Sequence, residues 1–241
     1  MILQHAPEGT IAIRQDDHAA FAAFLLEHWS NNNFTKDPQR DQIILATRHH
    51  DVGWIAFDAM PRLDPVTCLP ADMTSIEPED ALTIWRRATA LHLEDDPFVA
   101  LLITHHAYSI HEIAHKRQPA WKAFFTEFAQ LRAELRDALG LDHPAIERAY
   151  SYLRMADWFS LQFCMRRDLG AERPEHYAGY QFRRVADTLQ FKPYPFDQRS
   201  LSYSLPFFRM AEGGYRDEKH LRAAFDTPEM LNITIEPMGR L

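Results

Sequence analysis

The stretch Arg48-His49-His50-Asp51-Val52-Gly53-Trp54 closes an apolar run with two histidines and an aspartate side by side. Imidazole nitrogens and carboxylate oxygens are the side-chain ligands of borderline divalent ions. Whether these residues could share an ion depends on which of them face inward. Positions i, i+3, i+4 and i+7 of a helix share a face, and four residues tested that way fall on apolar stripes. His18 is followed on its own face by Phe21, Ala22 and Leu25. His50 is preceded by Ile43 and Ala46, and Asp51 borders the same side through Ile44 and Thr47. Asp157 is the most enclosed, with Ile146, Ala149, Tyr150 and Leu153 leading into it and Leu161 and Cys164 following. An ionised carboxylate on such a face needs a proton, an ion pair or a metal.

A single histidine on an apolar face is usually a hydrogen-bonded core residue, and a single buried aspartate is usually an ion-pair partner. Several such residues converging from different helices are how bundles build metal centres. His18, His50, Asp51 and Asp157 are therefore expected to hold a divalent transition metal (Mn, Fe, Ni, Co or Zn), with positions left open for water. His106, flanked by Val99, Leu102 and Ile103 and then by Ile110 and Ile113, is a further inward residue. With Asp51 it is the candidate catalytic group. His5, His28, His111, His115, His143, His176 and His220 read as surface or capping residues.

The elements that must position these residues are mostly helices. Amphipathic or capped stretches run over 16–29, 38–51, 79–92, 96–116, 120–140 and 142–170, with Gly140 and Gly170 as terminators. A shorter helix is expected over 175–190. The segment from Gly53 to Glu79, rich in Pro and Asp, reads as a long surface loop. Period-two alternation in "GTIAI", "LSYSLPFF" and "LNITIEP" predicts strands. The fold class expected is therefore mainly α, a helical bundle with a small β-sheet formed near the N- and C-termini. One domain over 1–241 is expected, its helical core at about 16–190 and a small β-containing extension at about 191–241.

The 241 residues are 46% hydrophobic and 25% charged, ordinary for a globular protein. Two cysteines, Cys68 and Cys164, without metal-type spacing argue against a disulfide framework and fit a reducing cytoplasm. The segment from Met1 to His18 lacks the basic start and apolar core of a signal peptide, and no apolar run reaches membrane-spanning length. A net charge of -8 argues against nucleic-acid or membrane partners. It leaves room for an anionic substrate, because a metal supplies a local positive field. No phosphate-cradling glycine loop occurs. A homo-oligomer is compatible with the sequence.

An inward His18, the adjacent His50-Asp51 pair and the distant Asp157 in "RMADWFSL" resemble the HD superfamily. The order of "DDHAAFAAFL", "HHDVGW", "ALLITHHA" and "ADWFSLQFC" also resembles a bacterial family described only as a domain of unknown function. The HD resemblance implies an HD-domain-like helical bundle that binds metal and, in most members, hydrolyses phosphoesters. Two-metal members add histidines between the dyad and the last aspartate, so the resemblance implies one or two ions, with His106, His105 and His49 as candidates for a second ion or a phosphate contact and His92 as a weaker alternative. Many such enzymes carry a lysine shortly after the dyad, where this chain has Trp54. Arg48 or Arg14 could replace that cation. The "GYQ" at Gly179 and "GYR" at Gly214 lack the proline of the cyclic-dinucleotide subgroup. The expected function is a metal-dependent phosphohydrolase that acts on a small phosphorylated metabolite or nucleotide through a metal-activated water. The alternatives are an HD-type di-iron oxygenase and a non-catalytic metal- or ligand-binding regulatory module.

Overall fold

The computed structural model describes residues 1–6, 9–31, 33–165 and 175–239. Its helices are α1 Gln15–Glu27, α2 Arg40–His49, α3 Ile55–Asp58, α4 Pro78–Ala90, α5 Pro97–His115, α6 Lys122–Leu139, α7 His143–Met165 and α8 Glu218–Ala223. Local chemistry sets their limits. The Asp96 side chain caps the Val99 amide, with Pro97 opening α5 where its missing N–H costs nothing. Asp142 caps the Ala145 amide at 2.8 Å ahead of α7. Gly140 ends α6 in the left-handed conformation that side chains disfavour. Gly170, expected to end α7, lies outside the described residues. Among the described residues, no helix is long and apolar enough to cross a membrane.

The strands are β1 Ile2–Ala6, β2 Gly9–Ile13, β3 Glu175–Tyr177, β4 Tyr180–Val185, β5 Thr188–Lys192, β6 Leu201–Arg209 and β7 Glu229–Pro237. They form one seven-stranded mixed sheet in the order β1-β2-β6-β7-β5-β4-β3. The β5–β7 pair is parallel, with Thr188 opposite Thr234, and the other pairs are antiparallel. The expectation of a small sheet confined to the termini is therefore corrected. The helix expected over 175–190 is instead β3, β4 and the start of β5. Tyr180, Phe182 and Arg184 alternate inward with period two, and Phe182 pairs with Phe191. Ala178 and Gly179 turn the chain with positive φ, as does Ala186 without help from a glycine.

The sheet matters to the site because it backs two of the helices that carry candidate ligands. Phe159 and Phe163 of α7 are fully buried, and Phe159 meets Phe182 and Phe191 edge-on at 5.3 and 5.0 Å. Phe21 of α1 stacks on Tyr203 of β6 at 4.9 Å. Each such ring contributes on the order of 2–3 kcal/mol by leaving water. Arg184 reaches from β4 to donate to the Phe163 carbonyl at 2.7 Å, tying the sheet to the end of α7. One continuous apolar cluster includes side chains from both the helices and the sheet. The aromatic residues of "WKAFFTEF" belong to it, with Trp121, Phe124, Phe125 and Phe128 buried.

Candidate metal centre

Three helices bring the candidate ligands together. His18 lies in the first turns of α1, Asp157 lies in α7, and His50 and Asp51 follow directly on the last residue of α2. All four are buried. The final carbonyls of a helix have no partner within it. The Thr47 carbonyl uses that freedom to accept from His50 Nδ1 at 2.6 Å. A carbonyl cannot donate, so the proton of a neutral His50 ring sits on Nδ1 and Nε2 presents a lone pair. His18 is fixed in a similar way. Ser160, one helical turn beyond Asp157, donates its hydroxyl to the His18 carbonyl at 2.8 Å, which leaves its oxygen to accept from His18 Nδ1 at 3.1 Å.

Both Nε2 atoms therefore point their lone pairs at carboxylates. His18 Nε2 lies 2.9 Å from Asp51 Oδ2 and 3.6 Å from Asp157 Oδ1. His50 Nε2 lies 3.5 and 3.4 Å from the same two oxygens and has no hydrogen-bond partner. Four electron-rich atoms facing one another in the interior need a cation among them. A divalent ion with bonds near 2.1 Å separates its ligand atoms by about 3.0 Å in an octahedron and about 3.4 Å in a tetrahedron. The four separations here, from 2.9 to 3.6 Å, bracket those two values. The donor atoms of His18, His50 and Asp157 lie within 4.8 Å of one another, a cluster able to coordinate a divalent metal.

Without an ion, protons take its place. Burial works against a charged His50, but Asp51 and Asp157 outweigh it and hold the imidazolium up to about 9. Burial also works against a charged Asp157, and the surrounding histidines, His50 first, hold it down at about 2. Asp51 is lowered too, through His50 and His18 acting against its own burial. His106 behaves in the opposite way. Its ring meets His50 edge-on at 4.8 Å and its Nδ1 lies 3.4 Å from the Tyr150 hydroxyl. Burial pushes it down to about 4, so it stays neutral.

The other candidates sit elsewhere. His105 Nε2 points to Glu147 at 3.0 Å, and burial with the Arg132 charge pushes it down to about 4. His49 Nδ1 meets His92 Nε2 at 2.8 Å with the two rings stacked. Arg48 pairs with Glu27 at 2.8 Å and Arg14 lies over the Phe208 ring at 4.7 Å. Trp158 stacks on Tyr177 and Tyr108 meets Phe125 edge-on.

A cavity of about 450 Å³ reaches His18, Asp51, His106 and Asp157. Trp54 lines it, and so do His111 and His115, which were expected at the surface or in caps. Trp85 Nε1 donates to His111 Nε2 at 3.1 Å, and His115 lies flat on Trp121 at 4.2 Å. Their i, i+4 spacing on α5 was the available signal, obscured because His106 and His111 do not share a stripe. Met73, Thr74 and Ile76 of the long loop line the cavity too, so that segment is more than a surface connection.

No curated protein and no solved structure matches the chain. A family described as protein of unknown function (DUF3891) matches residues 1–210, a span that contains every residue of the cluster, and the chain belongs to that family.

Proposed function

We propose that the protein is a metal-dependent hydrolase that cleaves a small phosphorylated compound. The observation that carries this reading is the convergence of two tautomer-fixed Nε2 lone pairs with two carboxylates on the wall of a cavity sized for a small molecule. His18, His50 and Asp157 would hold the ion, and Asp51, whose Oδ2 lies 2.9 Å from His18 Nε2, would add a fourth protein ligand. An ion held there supplies a Lewis acid for a phosphoryl oxygen and brings the pKa of water toward neutrality. Asp51 also lines the cavity, where a carboxylate orients the attacking water by accepting a hydrogen bond. His106, which lines the cavity, would hydrogen-bond a phosphoryl oxygen. Its pKa of about 4 leaves little imidazolium at neutral pH, which argues against protonation of the leaving group by this residue. The resemblance of His18, His50-Asp51 and Asp157 to HD phosphohydrolases supports the same chemistry.

A single ion fits this arrangement better than a di-iron pair, because His105 and His49 are turned to Glu147 and His92. A purely structural metal module would need no cavity at its ligands. The test is phosphate release from aryl and alkyl phosphomonoesters by protein loaded with Mn, Fe(II), Co, Ni or Zn. Release that depends on the ion and falls by about a hundredfold or more in Asp51→Asn is expected. No release from any ester with any of these ions overturns the proposal.

A further inference from the structure

Away from the cluster, the cavity wall is built by Trp54, Met73, Ile76, Trp85, Ile110 and Leu161. Among the described residues, no lysine or arginine lines it. Its polar positions are Gln15, Thr74, His111 and His115. His111 adds no charge: it accepts from Trp85 Nε1, which leaves its proton on Nδ1, and burial pushes it down to about 3. A second phosphate lodged against this wall would lose its hydration and meet no lysine or arginine. An uncharged ring or branched chain would be held there by apolar burial and by contact with two indole rings. Ile110 is 43% exposed on this wall, an apolar surface that such a body would cover. The volume of about 450 Å³ lies in the range of small-ligand sites.

We propose that the site takes a substrate with one anionic group, bound at the metal cluster, and an uncharged aromatic or branched aliphatic body packed on Trp54, Ile76, Trp85 and Ile110. Nucleoside polyphosphates and sugar bisphosphates are selected against, since their further charges meet no lysine or arginine on the wall. That the anionic group is a phosphoryl rests on the proposed hydrolytic function; the apolar body does not.

The test is binding of 1-naphthol, 1-naphthyl phosphate and adenosine diphosphate to the metal-loaded protein, followed by calorimetry and tryptophan fluorescence. Naphthol and naphthyl phosphate are expected to bind more tightly than the diphosphate. Ile110→Arg is expected to weaken naphthol about tenfold, by setting a charge in the apolar wall, while Ile110→Met leaves it unchanged. Ala114→Arg, at another exposed position of the same cavity, is a second variant should the first not fold. Tighter binding of the diphosphate than of naphthol overturns the proposal. So does naphthol affinity unmoved by Ile110→Arg in a protein with an unchanged unfolding temperature. Naphthol carries no phosphate, so its binding supports the apolar wall even where no ester is hydrolysed. Hydrolysis of the diphosphate without naphthol binding would overturn this inference and leave the hydrolytic function standing.

Discussion

The carbonyl of Thr47 accepts from His50 Nδ1 at 2.6 Å, and that single bond commits the other ring nitrogen to the metal cluster. Nε2 is left buried without a hydrogen-bond partner and faces Asp157 Oδ1 at 3.4 Å. Removing the ring should remove the ion and leave two carboxylates facing each other in the interior. His50→Ala is therefore expected to carry almost no metal and to lose about 3–5 kcal/mol of stability, the usual consequence of stripping one partner from a buried charged group. Elemental analysis of the purified variant checks the first part and denaturant unfolding the second. Full metal occupancy in His50→Ala would remove His50 from the ligand set.

The histidines predict a stability optimum for the metal-free protein near pH 6.5. His50 is raised to about 9 in the folded protein, so its stabilisation is complete below 6.5 and is lost as pH rises toward 9. His106 and His111 are lowered, to about 4 and about 3, so theirs is complete above 6.5 and is lost as pH falls toward those values. The slope is about 1.4 kcal/mol per pH unit for each proton taken up or released. Metal binding should run the other way on the alkaline side: the ion displaces the His50 proton, so affinity rises between pH 6.5 and 9. Thermal unfolding with chelator and with added ion, across pH 5 to 9, distinguishes the two trends. Parallel curves with and without the ion would contradict them.

Adjacent histidines give a sharp contrast on α5 and at the end of α2. His106 faces His50 and the cavity, whereas His105 faces Glu147 and His49 faces His92. His106→Gln is expected to lower kcat by about a hundredfold with metal content unchanged, because it removes a hydrogen bond to the reacting group and no ligand. His49→Ala and His105→Ala should keep both metal content and activity within about twofold. Metal loss in either of those two would restore them as ligands of a second ion.

These pairs also show what the sequence could and could not reveal. His18, His50 and Asp157 were legible as a cluster because each interrupts a stripe of apolar residues at helical spacing, a pattern with few explanations. The same rule misjudged the far end of α5, where Ile110 and Ile113 continue the stripe of His106 yet are 43% and 98% exposed. Periodicity identifies a face, but it does not say how far a neighbouring element covers it. The hairpins over 175–192 were hidden because Ala178, Phe182 and Val185 also fit helical spacing and the Ala186 turn lacks a glycine. The cavity was not legible, since its wall joins α5 to Met73, Thr74 and Ile76 of a loop with no periodic signal.

Gly53 offers the last prediction. It lies in a short 3-10 turn, Val52–Trp54, directly after Asp51, and that turn is pressed against α4. A Cβ at Gly53 would collide with the Ile84 carbonyl, a backbone atom that cannot move without shifting the helix. Gly140 is the natural comparison: its φ of 62° strains a side chain, but nothing lies within 4 Å of where a Cβ would stand. Gly140→Ala should cost about 1 kcal/mol and leave metal affinity unchanged. Gly53→Ala should cost about 1–3 kcal/mol through overpacking, and should weaken metal binding as well, because the displaced turn carries Asp51 and, one residue earlier, His50. Unfolding temperatures measured beside metal titrations separate the two effects. Equal metal affinity in Gly53→Ala and the parent would show that the ligands are held from α2 alone and not by the packing of this turn against α4.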